Sequence, residues 1–141
     1  MTSFPRRDPH TDNLLTPENA ALLVIDYQPT QINSIQSIAH PTLIKNVAMT
    51  IQLAQSFHVP IVLSTVNVES GRNADTIPAL KKLMPGIASY DRTNINAWEA
   101  VDFVAVVHAI GRPKLIIVGL WTEACLAVQT LAWVCLVLVV Y

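Results

Sequence analysis

Two short apolar runs, each leading into a chemically active residue, constrain this chain more than anything else in it. The first is Ala20-Ala-Leu-Leu-Val-Ile25, closed by Asp26. The second is Leu115-Ile-Ile-Val118, followed within Gly119-Leu-Trp-Thr-Glu-Ala-Cys125 by a thiol. A strand with one wet face alternates apolar and polar residues. Runs without alternation belong to strands covered on both faces, as in parallel sheets flanked by helices. An acid at the tip of one strand and a thiol just past the tip of another fall on the carboxyl edge of the sheet. Open α/β folds bind their ligands at that edge.

Between these runs the spacing turns helical. Leu43, Val47, Ile51 and Ala54 recur at three- and four-residue intervals behind Pro41, which predicts a helix up to Phe57. Further helices are expected over 99–110, stopped by Gly111, over 77–83 in short form, and over 123–133. Strands are expected at 20–26, 61–66, weakly at 87–90, at 115–118 and from Val134 onward. Residues 27–40 and 67–76 read as loops, the first with a short helical piece. Strand and helix alternate throughout, which implies right-handed crossovers and a doubly wound parallel α/β sheet with helices on both faces. Residues 1–18, interrupted by Pro5, Pro9 and Pro17, read as an irregular arm, and 19–141 as one domain.

Hydrophobic residues make up 52% of the chain and charged ones 13%, so it packs a core instead of staying disordered. A net charge of −1 without a basic block gives nucleic acid no electrostatic footprint. The fully apolar stretch from Leu131 to Tyr141 is far short of the roughly 20 residues of a membrane helix, and reads as a buried strand. The polar, proline-broken start does not fit a secretory leader, and two cysteines make no disulfide framework, so the reducing cytoplasm is expected. No two of His10, His40, His58 and His108 stand at metal-ligand spacing from each other, and four glycines supply no phosphate-cradling loop. Neither a metal nor a cofactor is expected.

Cys125 has two readings. Free cysteine is among the most buried residue types and serves as ordinary core. Against that, Thr122 can cap a helix whose first turn contains Cys125. Unpaired N–H groups there favour a thiolate, and those of Ala124 and Cys125 can hold an oxyanion. Asp26 reads equally as the cap of a turn or as a general base for the thiol. Arg92, in the polar stretch Tyr90-Asp-Arg-Thr-Asn-Ile-Asn-Ala-Trp98, reads on its own as a solvated loop residue, and Cys135 as inert core. Tyr27, Gln28, Asn67, Trp98 and Trp121 follow strand ends or flank motifs, and are expected to wall a pocket for a small-molecule substrate.

Three stretches, Leu22-Leu-Val-Ile-Asp-Tyr-Gln28, Asn94-Ile-Asn-Ala-Trp98 and Leu115-Ile-Ile-Val-Gly-Leu-Trp-Thr-Glu-Ala-Cys125, resemble the isochorismatase-like cysteine hydrolase superfamily, especially its small bacterial branch. The resemblance implies a Rossmann-like sheet and hydrolysis of an amide or related C–N bond through a thioester. It makes Asp26 the base and Cys125 the nucleophile, and puts Arg92 where the family usually has lysine. It also implies a cis peptide at Trp121–Thr122. None of these three stretches contains the D-x-H motif of the metal-assisted subtype. After Leu131 the sequence departs from the family pattern and stops at Tyr141, so the C-terminal part of the domain is expected to be missing. The strand from Val134 would then carry an open, uncharged edge, which points to a homo-oligomer or an aggregate. The competing expectation is an inactive remnant, or a binding or assembly subunit.

Overall fold

The computed structural model describes residues 14–121, Cys125 and the backbone of residues 138–140. With apolar side chains on both of its faces, β1 (Ala20–Ile25) has no side to give to water, and all six of its residues are buried. It takes the centre of a parallel sheet, between β2 (Ile61–Val66) and β4 (Lys114–Gly119). Beside β2 lies β3 (Ser89–Arg92), and beside β4 lies β5 (Leu138–Val140). The order is β3-β2-β1-β4-β5, with every neighbouring pair parallel.

The apolar run of β1 carries a hidden period of two. Leu22 and Val24 pack on one face with Val47, Ile51 and Ala54 of α2 (His40–Ser56) and Leu80 of α3 (Pro78–Lys81). Ala21, Leu23 and Ile25 pack on the other with Phe103 and Val107 of α4 (Val101–Ile110). Helices on both faces make this the doubly wound sheet that the unbroken runs imply. A short α1 (Pro29–Ser34) follows β1, and a 3₁₀ turn over Ala97–Glu99 precedes α4.

The structure moves two strand boundaries near the site, besides changes of one to two residues at the ends of β4, α3 and α4. β1 stops at Ile25, because Asp26 turns to φ +61° and leaves the strand. β3 runs over Ser89–Arg92 instead of 87–90, so Arg92 ends a strand and does not lie in a loop. Ser-Tyr-Asp-Arg has no apolar pattern to announce it. Its place is set by backbone pairing with β2, from Leu63↔Ser89 to Val66↔Arg92. Part of the expected arm is ordered as well. The Thr16 N–H donates to Asn19 Oδ1 at 2.8 Å, while Asn19 Nδ2 and the buried Lys114 ammonium both donate to the Leu14 carbonyl. Residues 1–13, the helix expected over 123–133 and the start of the last strand lie outside the described residues.

α2 ends by chain geometry instead of by glycine. The His58 N–H bonds the Gln55 carbonyl at 3.0 Å and the Val59 N–H bonds the Ala54 carbonyl at 2.8 Å, the double closure of a Schellman end. Position 58 therefore takes φ +55°, with an exposed histidine where glycine is the usual occupant. A left-handed conformation costs a β-carbon residue roughly 1–2 kcal/mol, partly offset by the extra freedom glycine gives the unfolded chain. His58→Gly is therefore expected to raise stability by about 0.5–1 kcal/mol in urea denaturation. A loss of stability would refute this account of the helix end.

Candidate active site

The carboxyl ends of three strands turn sharply. Asp26 after β1 and Asn67 after β2 both have φ +61°, and Trp121 beyond β4 has φ +57°. Left-handed non-glycine residues are strained and gather at functional sites. Here they carry the chain off the sheet edge at the tips of neighbouring strands.

Asp26 stays tied to the sheet while its side chain leaves the strand's alternation. Its N–H donates to the Ser64 carbonyl at 3.1 Å, and its own carbonyl accepts the Gln28 N–H at 2.8 Å. Beyond this turn the Gln28 side-chain amide takes over the ladder. Its Nε2 donates to the Val66 carbonyl at 3.0 Å and to the Ala74 carbonyl at 2.6 Å, and its Oε1 accepts the Val66 N–H at 3.0 Å. The amide thus replaces a peptide unit that the turned chain no longer offers to β2.

The Asp26 carboxylate meets Arg92 from β3, two strands away. Arg92 Nη1 donates to Oδ1 at 2.7 Å and Nη2 to Oδ2 at 2.6 Å, the forked geometry only a guanidinium gives. The Arg92 side chain is 2% exposed and that of Asp26 1%. Nη1 also reaches Ser64 Oγ and the Thr65 carbonyl, both at 3.0 Å, and Nη2 reaches the Ile95 carbonyl at 3.1 Å. Every Nη hydrogen therefore has an acceptor, so the guanidinium is a fixed positive charge facing a fixed carboxylate.

Cys125 completes the group. Its thiol donates to Asp26 Oδ2 at 3.1 Å, and the residue is 4% exposed. A proton can pass from Sγ to Oδ2 without movement of heavy atoms. Arginine cannot give up its own proton, so that transfer leaves the net charge of the buried trio unchanged. This lowers the cost of making a thiolate away from water, because no new net charge is buried.

The expected pocket residues separate. Tyr27 is 3% exposed and packs in the core on the α2 side, where burial holds its phenol well above the usual range. Gln28 is fully buried in the ladder already described. Both follow a strand end in sequence, and the turn at Asp26 sends them into the interior. Asn67 is half-buried and its N–H donates to the Arg92 carbonyl at 2.7 Å. Trp98 stands edge-on to Phe103, with ring centroids 5.4 Å apart. Trp121 is 37% exposed, and its indole N–H donates to Ser34 Oγ on α1 at 2.7 Å. Thr122, Ala124, Cys135 and the Trp121–Thr122 peptide lie outside the described residues, so of the two expected oxyanion donors only Cys125 is placed.

Two supporting residues escaped the sequence reading. Ser64 bonds Arg92, and Asp91 holds the loop after β2 by accepting from the N–H groups of Val68 and Glu69 and from Thr65 Oγ1. Burial works to raise the Asp91 carboxyl, but those hydrogen bonds outweigh it and hold the group below its ordinary range. The available signal was Ser64-Thr65 itself, a polar pair interrupting an apolar strand just before its carboxyl end. Among the described residues no group of three His, Cys, Asp or Glu side chains is placed to hold a metal ion. No described helix is long and apolar enough to cross a membrane. An apolar groove of about 340 Å³, lined in part by Leu15, Ala20, Leu53, Phe57 and Ile116, includes none of the three chemical residues.

Comparison with known proteins agrees with this fold. Residues 20–133 match the model of the isochorismatase domain. The chain is 36% identical over 119 residues to the probable hydrolase YcaC of Escherichia coli K12, covering 84% of this chain and 57% of that protein. The crystal structure of the E. coli YcaC gene product, described as an octameric hydrolase of unknown specificity, superposes with a TM-score of 0.76 over 85% of this chain and 59% of that one. YcaC from Pseudomonas aeruginosa, solved with hexane-2,5-diol and covalent acrylamide, is 34% identical. It superposes with a TM-score of 0.77 over 87% of this chain and 61% of that one. The chain thus spans less than two thirds of the length of each of these relatives.

Proposed function

Because the chain belongs to the isochorismatase family, we propose that it is a cysteine hydrolase that cleaves an amide or related C–N bond of a small molecule. One observation carries the reading: a buried thiol 3.1 Å from a carboxylate whose two oxygens are held by one arginine. In the proposed reaction Asp26 Oδ2 takes the Cys125 proton and the thiolate attacks the carbonyl carbon. The resulting oxyanion is held by the N–H groups of Cys125 and Ala124. As the C–N bond breaks, the Asp26 carboxyl returns its proton to the departing nitrogen and a thioester remains. Asp26 then accepts a proton from an attacking water. The acid leaves, and the proton goes back to sulfur. Arg92 keeps its charge throughout and holds Asp26 in place.

The relatives lend support in kind. The E. coli relative is named a probable hydrolase, and the P. aeruginosa relative carries covalent acrylamide, an electrophile of the class that thiolates attack. The E. coli relative is also octameric. By the same likeness we read this chain as self-associating, in keeping with β5, which among the described residues is paired on one side only. A catalytic thiol stays reduced in a reducing compartment, which keeps the cytoplasm as the proposed location.

The test needs no substrate. At neutral pH, iodoacetamide or acrylamide should alkylate Cys125 at least about tenfold faster than Cys135, as expected of an activated thiolate beside an ordinary thiol. Asp26→Asn should remove the difference. Equally slow labelling of both cysteines would sink the hydrolase reading and favour an inactive remnant or an assembly subunit.

A further inference from the structure

Ser64 touches both halves of the buried ion pair, through different atoms. Its backbone carbonyl accepts the Asp26 N–H at 3.1 Å. Its Oγ accepts from Arg92 Nη1 at 3.0 Å and donates to the Tyr90 carbonyl, also at 3.0 Å. A guanidinium has no acceptor, so the direction of both side-chain bonds is fixed, and the one hydroxyl proton is left for Tyr90. The residue is fully buried. Its register partners are Ile25, the last residue of β1, and Tyr90, two residues before Arg92 on β3.

We propose that Ser64 is a positioning residue, which fixes the guanidinium of Arg92 and through it the angle at which Asp26 Oδ2 meets Cys125 Sγ. The inference rests on the cysteine-hydrolase reading and adds a residue to it. Ser64 is suited to this role and not merely to packing, because removing its hydroxyl does not unpair Arg92. Asp26 Oδ1 and the Thr65 carbonyl still accept from Nη1. What disappears is the tie between the guanidinium and the β3 backbone at Tyr90. The consequence should therefore appear in the reactivity of the thiol more than in the stability of the fold.

The experiment follows iodoacetamide alkylation of Cys125 as a function of pH in the whole chain, for wild type, Ser64→Ala and Ser64→Thr, with a thermal melt of each. Ser64→Ala should label Cys125 about tenfold more slowly at neutral pH, the low end for losing a hydrogen bond to a charged group. Its alkylation midpoint should move to higher pH, because a looser guanidinium stabilises the thiolate less. Ser64→Thr, which keeps the hydroxyl, should recover most of the rate. A Ser64→Ala profile that overlays wild type overturns the proposal, whatever the melt shows, and so does a Thr variant as slow as Ala. If Cys125 of the wild type reacts no faster than Cys135, the hydrolase reading itself has failed and this inference falls with it. A fast wild-type thiol that is indifferent to Ser64 refutes only the inference.

Discussion

Arg92→Gln is expected to destabilise the folded chain by about 3–5 kcal/mol, the usual cost of removing one partner of a buried ion pair. The magnitude follows from what would be left behind. Asp26 is fully buried, and without the guanidinium its carboxylate keeps, among the described residues, only the Cys125 thiol as a side-chain donor. Ser64 Oγ and the carbonyls of Thr65 and Ile95 lose a charged donor at the same time. Arg92→Lys should lose less, because it keeps the charge while giving up the two-pronged contact with Oδ1 and Oδ2. Urea denaturation of the three proteins reads both differences. A Gln variant within 1 kcal/mol of wild type would mean that the pair is not the structural anchor its burial implies. That limit lies well below the expected range.

The second large effect concerns turnover. Once an amide or ester substrate is found, Cys125→Ala and Asp26→Asn should each lower kcat by at least about 10³-fold, since groups that act as one unit fail together. The double variant should then be little worse than either single one. Asparagine is the mildest replacement at position 26: it keeps the shape and one acceptor toward Arg92 but removes the negative charge of the pair, so a melt of the variant is needed to separate loss of the base from loss of the fold. Losses that add in the double variant would show that the two residues act independently, and would remove the proton transfer from the mechanism.

Much of this arrangement was legible in the residues. The runs ending at Ile25 and Val118 carried the strand assignment and the parallel sheet, because only strands covered on both faces tolerate unbroken apolar sequence. Asp26 and Cys125 were singled out by standing just past those runs, and the structure brings them to 3.1 Å. Arg92 was legible as a site residue only through the family resemblance, not from its own surroundings. Its neighbours Tyr90, Asp91 and Thr93 give no strand pattern, and an arginine in a polar stretch is most often solvated. Gln28 and Tyr27 show the opposite case. Position after a strand end suggested a pocket, while the turn at Asp26 directed both into the interior.

Local chemistry, then, was enough to place β1, β2, β4, α2 and α4 and to put a carboxylate and a thiol just past two strand tips. Hydrophobic period and turn residues act over a few positions and are written directly in the chain. Partnership across the sheet was decided only by the tertiary structure. Arg92 meets Asp26 because backbone register sets Val66 beside Arg92 and Ile25 beside Ser64, which brings residues 66 positions apart within hydrogen-bond reach. Such pairing depends on strand order and long-range register, and no local pattern around residue 92 encodes either.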